Sequence, residues 1–274
     1  MKPIGTVLMF IISMAAIAQS TDKVFKKGMK AAVNGQYRES IYHFTMVIKK
    51  DSQHVEAWYN RALAFSKLGD AFQAIEDYSR VIELHPRMPE AFCNRGADYK
   101  ELGNNEKAWS DYTNAIMLDS TYALAWFNRG VLSFETGHYH SAIADFTSAI
   151  SIDSSYRDAW YNLGLSCRKL KRNTEAIEHF SQVLFIDSNF PRAYKYRAVC
   201  AMEEADYSAA AADLLRAVQL SAGDCEAWKL LGLLKDELNA TDKDIYQTAL
   251  KKWFCADTGA PEEKLVMHKM INDD

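Results

Sequence analysis

The sequence resembles itself every 34 residues, and that period restricts the chain to an array of small, similar units. Trp58, Trp126, Trp160 and Trp228 are separated by whole multiples of it. Cut at this interval, six units run in unbroken register from Thr21, Val55, Pro89, Ala123, Arg157 and Pro191, filling residues 21–224, and a partial seventh starts at Cys225. Each unit has room for two short amphipathic helices with a turn near its fifteenth residue. Gly35, Gly69, Gly103 and Gly137 stand at that turn, with Lys171 and Ala205 in the fifth and sixth units. A unit this short cannot bury its apolar face alone, so neighbours must stack to make a core. The expected fold is all-α, a solenoid of stacked helix-turn-helix units.

The units act as internal replicates. Two helices approach closely only where a side chain is nearly absent. Gly28, Ala62, Gly96, Gly130, Gly164, Ala198 and Gly232 occupy the eighth position, and Ser40, Ala74, Ala108, Ala142, Ala176 and Ala210 the twentieth. Large residues at the twenty-fourth, Phe44, Tyr78, Tyr112, Phe146, Phe180 and Leu214, are expected to fill the gap between units. Arg61, Arg95, Arg129 and Arg197 stand at the seventh position wherever Asp77, Asp111, Asp145 and Asp213 stand at the twenty-third. In the fifth unit both change together, to Leu163 and His179. An ion pair across each hairpin explains that covariation.

Trp160-Tyr161-Asn162-Leu163-Gly164, followed at later offsets by residues such as Ala74, Tyr78 and Pro86, resembles the signature of the tetratricopeptide repeat family. The resemblance covers residues 21 to about 240. Departures include Val24 at an aromatic position and Ser52, Ser120, Ser154 and Ser188 where the family places Pro. It implies a right-handed superhelix whose concave face is built by the first helix of each unit.

The ends read differently. Lys2 and the apolar run from Ile4 to Ala18, closing on Ala16-Ile17-Ala18, have the form of a cleavable signal peptide, residues 1–18. Export to a periplasmic, extracellular or cell-envelope location is therefore expected, with membrane attachment only if the leader stays uncleaved. Residues 225–256 read as the partial seventh repeat and a capping helix over 241–256. Residues 257–274 read as a tail with one short helix.

Little in the sequence points to chemistry. With 32 Lys plus Arg against 36 Asp plus Glu the net charge is −4, which argues against a nucleic-acid partner. No phosphate loop, dinucleotide fingerprint, GxSxG or CxxC is present. His138 and His140 form the one metal-like spacing and lack a third ligand, so no metal, cofactor or small-molecule substrate is expected. The five Cys read as small apolar filling, with Cys167 and Cys200 at similar heights on neighbouring helices as the one conceivable disulfide.

Function is then sought on the concave face. The sixth position carries Asn60, Asn94, Asn128 and Asn162, flanked by Lys26 and Tyr196. An amide offers one acceptor and two donors, so a row of them can pair with the backbone of an extended peptide. The fifth position adds Phe25, Tyr59, Phe127 and Tyr161 as aromatic anchors, with Lys195 and Lys229 toward the C-terminus to meet an acidic stretch. The expected function is a non-catalytic scaffold that binds a peptide segment of another protein, in a cell-envelope or secretion-related assembly. The alternative is a structural or regulatory subunit that works through its convex face or its ends, by self-association through Trp253 and Phe254.

Overall fold

In a computed structural model of the chain, residues 21–234 are described. The leader, the capping helix of 241–256 with Trp253 and Phe254, and the tail lie outside them. Every regular element among the described residues is an α-helix. The chain divides into two compact units, one ending at Leu132 and the other beginning at Ser133.

The first unit holds α1 (21–33), α2 (Tyr37–Lys50), α3 (Val55–Lys67), α4 (Ala71–Leu84), α5 (Pro89–Glu101), α6 (Asn105–Leu118) and most of α7 (Ala123–Glu135). The second holds the end of α7, then α8 (Tyr139–Ile152), α9 (Arg157–Lys169), α10 (Asn173–Ile186), α11 (Pro191–Glu203), α12 (Tyr207–Leu220) and α13 (Cys225–Leu233). Odd-numbered helices open a repeat and even-numbered helices close it.

Helix ends follow from local chemistry. Gly35, Gly69, Gly103 and Gly137 have φ between 73° and 81°, a left-handed conformation that lets the next N–H reach back five residues. Gln36 donates to Ala31 O at 2.9 Å, and Asn104 to Tyr99 O at 2.8 Å. Lys171 and Ala205 adopt the same turn with φ of 58° and 61°, although their Cβ atoms disfavour it. The next helix is started by Asp70, Asn104 or Asp206, whose side chain accepts from a backbone N–H three residues on.

The core explains the small eighth residue. A Cβ added to Gly28 would lie 2.7 Å from the Phe44 ring, one on Gly96 2.9 Å from Tyr112, and one on Gly164 2.8 Å from Phe180. The ring at the twenty-fourth position thus lies over the glycine of its own hairpin. It also reaches the next repeat, since Tyr78 clusters with Ala62, Ala74 and Val81 and with Ala91 of α5. The recurring Trp has a second role: the indoles of Trp58, Trp160 and Trp228 donate to the carbonyls of Ser52, Ser154 and Ala222, pinning the loop six residues back.

The ion pairs are formed. Arg61 holds both oxygens of Asp77 at 2.7 and 2.8 Å, and Arg95 and Arg197 hold Asp111 and Asp213 in the same bidentate way. A third partner completes the pattern. The remaining Nη1 donates to a hydroxyl on the second helix of the preceding repeat: Thr45 for Arg61, Ser79 for Arg95, Thr113 for Arg129 and Ser181 for Arg197. Ser79 and Ser181 also donate to the carbonyl four residues back, as Thr147 does to Ile143 O in front of Leu163, where no arginine stands; there His179 packs on Trp160 at 5.7 Å.

Candidate functional site

Within each unit consecutive first helices lie side by side, α3 against α5 and α9 against α11, so equivalent positions form rows. In the first unit the fifth-position rings rest on the core. Phe25 lies 5.5 Å from Phe44 and stacks on His54 at 5.0 Å, while Tyr59 meets Tyr78 edge-on at 5.8 Å. Phe25, Tyr59 and Phe127 are half-buried, with part of each ring left to solvent.

The amides of the first unit divide into two kinds. Asn94 Nδ2 donates to the Tyr59 hydroxyl at 2.9 Å, and Asn128 Nδ2 to Cys93 Sγ at 3.4 Å, each reaching the preceding first helix. Asn60 turns instead to Glu56 O of its own helix at 2.7 Å, because the fifth position before it is Phe25, which has no acceptor. In the second unit Asn162 likewise bonds Asp158 O, at 2.7 Å. All four stay half-buried. The row is therefore not a set of equal, uncommitted donors: one N–H of each amide is already used inside the protein.

Burial governs the titratable groups around Tyr59, and one carboxylate, Glu90, acts on each of them. Burial raises the Tyr59 hydroxyl pKa, against the Asn94 hydrogen bond, and the Glu90 carboxylate adds to the rise. Burial pushes the Cys93 thiol up to about 11 and the Tyr122 hydroxyl well above its usual range, with Glu90 again contributing to both. Glu90 is half-buried among these groups.

In the second unit Tyr161 lies 5.1 Å from Phe190, 5.9 Å from Phe180 and 6.1 Å from Tyr196. Lys195 departs from expectation. It is 8% exposed, and its ammonium is held by Asp224 at 3.0 Å and Glu226 at 2.8 Å, so its charge is neutralised within the fold rather than presented to a guest. The reason is local: Asp224 caps α13 through Ala227 N and Glu226 sits in that helix's first turn, placing two carboxylates over the lysine. Lys229 stays exposed, and a further cation of this unit, Arg168, is one that the fifth and sixth positions do not include. Arg168 stacks its guanidinium 5.2 Å from the Tyr196 ring and has a buried Nε without a hydrogen-bond partner. With Arg192, it opposes the burial that raises the Tyr161 pKa. Arg168 stands at the twelfth position of its repeat, on a first helix, the element that the resemblance assigns to the concave face.

Cys93, Cys167 and Cys200 are buried free thiols, and Cys225 is an exposed one. His138 Nδ1 lies 3.0 Å from Thr136 Oγ1. No group of three or more His, Cys, Asp or Glu among the described residues is placed to hold a metal ion. No described helix is long and apolar enough to cross a membrane.

Successive helix pairs at a fixed period, each closed by a ring over a small residue, define a helical-repeat protein of the interaction-scaffold kind. Tetratricopeptide repeat models match residues 55–88, 123–156 and 158–190, so the chain carries tetratricopeptide repeats. Among similar solved structures, the C-terminal part of a TPR repeat-containing protein from Cytophaga hutchinsonii has a TM-score of 0.69 at 19% identity, covering 88% of this chain and 98% of that one. YrrB, described as a TPR protein with an unusual peptide-binding site, has a TM-score of 0.60 at 17% identity, covering 68% and 96%. MamA has 0.57 at 23% identity, covering 62% and 93%. These likenesses establish the fold. No curated protein matches the sequence.

Proposed function

We propose that this protein is a non-catalytic scaffold whose first-helix face binds an extended peptide segment of a partner, and that it works in a cell-envelope or secretion-related assembly after export by its leader. The observation that carries the reading is the surface of the first unit, where the half-buried Tyr59 ring is locked by Asn94 from the adjacent first helix. A ring fixed in this way gives contact area at small entropic cost, and the amide retains an acceptor and a second N–H for a guest backbone. The peptide-binding site named for YrrB, a protein of the same fold, supports the same use of these repeats. Envelope placement rests on residues 1–18 alone.

The test is Asn94→Ala combined with Asn128→Ala in the full chain, followed by mild crosslinking and mass spectrometry of the envelope fraction. The expected result is loss of a co-purifying partner with an unchanged melting temperature. A partner retained in full by the double variant would refute groove binding. An N-terminus still at Met1 in mature material would refute leader processing.

Exposed apolar residues on second helices favour one other reading, self-association through that side. Phe72 is 71% exposed on α4 and Phe185 87% exposed on α10. A sedimentation profile that shifts to smaller species in Phe72→Ser or Phe185→Ser would select it.

A further inference from the structure

The second position of the repeat carries an acid five times among the described residues, as the exposed Asp22 and as Glu56, Glu90, Asp158 and Glu226. Three of these have a basic neighbour inside their own unit. His54 lies 3.1 Å from Glu56, Arg157 2.8 Å from Asp158, and Lys195 2.8 Å from Glu226. Glu90 has no Lys, Arg or His in ion-pair contact among the described residues. The slots that supply the cation elsewhere hold Met88, Pro89 and Tyr59 around Glu90. Yet Glu90 is half-buried, while Glu56 and Glu226 keep about two thirds of their side chains in water. A half-buried carboxylate with no cation of its own beside it is left to meet a basic group brought by a guest.

We propose that Glu90, with Tyr59, Asn94 and Tyr122, receives a basic side chain of the guest peptide, arginine by preference. The surroundings suit a donor-rich planar cation. Asn94 directs its N–H to Tyr59 and keeps its carbonyl as an acceptor, and the Tyr59 and Tyr122 hydroxyls stay neutral over the whole physiological range. Guanidinium brings five N–H donors and stacks on aromatic faces, so it engages the carboxylate, the amide oxygen and a ring together, which ammonium does less well. Of these four residues Glu90 is the charged one, so a basic residue meets complementary charge beside it and an acidic one is repelled. The inference rests on the groove reading and adds to it the chemistry of one guest residue.

The test pans a random dodecapeptide phage library against the full chain, in its native form and as Glu90→Gln. Native protein should enrich Arg or Lys at one peptide position, and Glu90→Gln should still select peptides but lose that preference. By fluorescence anisotropy, a selected arginine peptide should bind native protein on the order of tenfold more tightly than its alanine counterpart, a ratio that falls to about one in Glu90→Gln. Glu90→Lys should reverse the preference toward a glutamate peptide, and thermal melts of both variants should match the native protein. Peptides selected without a basic preference, or with one that survives Glu90→Gln, overturn the Glu90 assignment and leave groove binding standing. Selection of no peptide, or of peptides indifferent to Asn94→Ala with Asn128→Ala, overturns both.

Discussion

Arg61 joins three helices with one guanidinium: Nε and Nη2 clasp Asp77 in its own hairpin, and Nη1 donates to Thr45 Oγ1 of the preceding repeat at 2.9 Å. The acid is 5% and the arginine 15% exposed, so both charges have left water. Burial raises the Asp77 pKa even though Arg61 pulls the other way, which means that desolvation offsets much of the attraction. Asp77→Ala should therefore cost up to ~3–5 kcal/mol, by leaving a buried cation unpaired. Arg61→Met with Asp77→Leu should cost clearly less than the sum of the single changes. A double-mutant cycle by urea unfolding measures the coupling, and a value near zero would show that the pair is ornamental to stability.

Asp98 predicts an unusual pH response. It is 3% exposed and accepts from Ser66 Oγ at 2.9 Å, and burial pushes its pKa up to about 6 from 3.8. A raised carboxyl binds its proton more tightly in the folded state, so its contribution is present below pH 3.8 and is lost as pH rises through 6. The loss is of order ~1–3 kcal/mol. Asp98→Asn, which keeps an acceptor for Ser66 and removes the charge, should raise the urea midpoint at pH 8 and give little gain at pH 4. An equal effect at both values would contradict the burial argument.

Two substitutions at small residues, one within α9 and one at a turn, should move stability in opposite directions. Gly164→Leu forces a side chain into the Phe180 ring, which a Cβ alone would approach to 2.8 Å, and should cost ~1–3 kcal/mol or more. Ala205→Gly relieves a left-handed Ala at φ 61°; after the extra entropy of the unfolded chain is subtracted, it should gain ~0.5–1 kcal/mol. Thermal melts of the two variants decide both.

Thiol reactivity should separate the cysteines. Burial pushes Cys167 up to about 11 and Cys200 up to about 12, so neither supplies thiolate at pH 8. Peptide mapping after brief alkylation of native protein should find Cys225 modified and Cys93, Cys167 and Cys200 protected until denaturant is added. Fast labelling of Cys167 would show that the α9–α11 contact opens.

What the sequence determined by itself was whatever repeats. A 34-residue period placed the turns, the small residue under each ring and the Arg–Asp pairs, because the same local demand recurs and the units serve as one another's controls. The fifth-unit exchange of Leu163 and His179 made the ion pair readable without coordinates. Tertiary structure decided what depends on a neighbour one repeat away. The hydroxyl that completes the guanidinium recurs at the twenty-fifth position, as Thr45, Ser79, Thr113, Thr147 and Ser181, but which side chain it meets is set by the arginine of the following repeat. Whether Asn94 faces a guest or Tyr59 depends on which side chain the adjoining helix presents. Lys195 reads as an available cation until α13 sets Asp224 and Glu226 upon it, and Glu90 reads like any other acid until Glu56, Asp158 and Glu226 are seen beside basic groups. Periodicity fixes which positions share a face; the partner each side chain meets there is set by packing between repeats, a long-range property that local pattern does not encode.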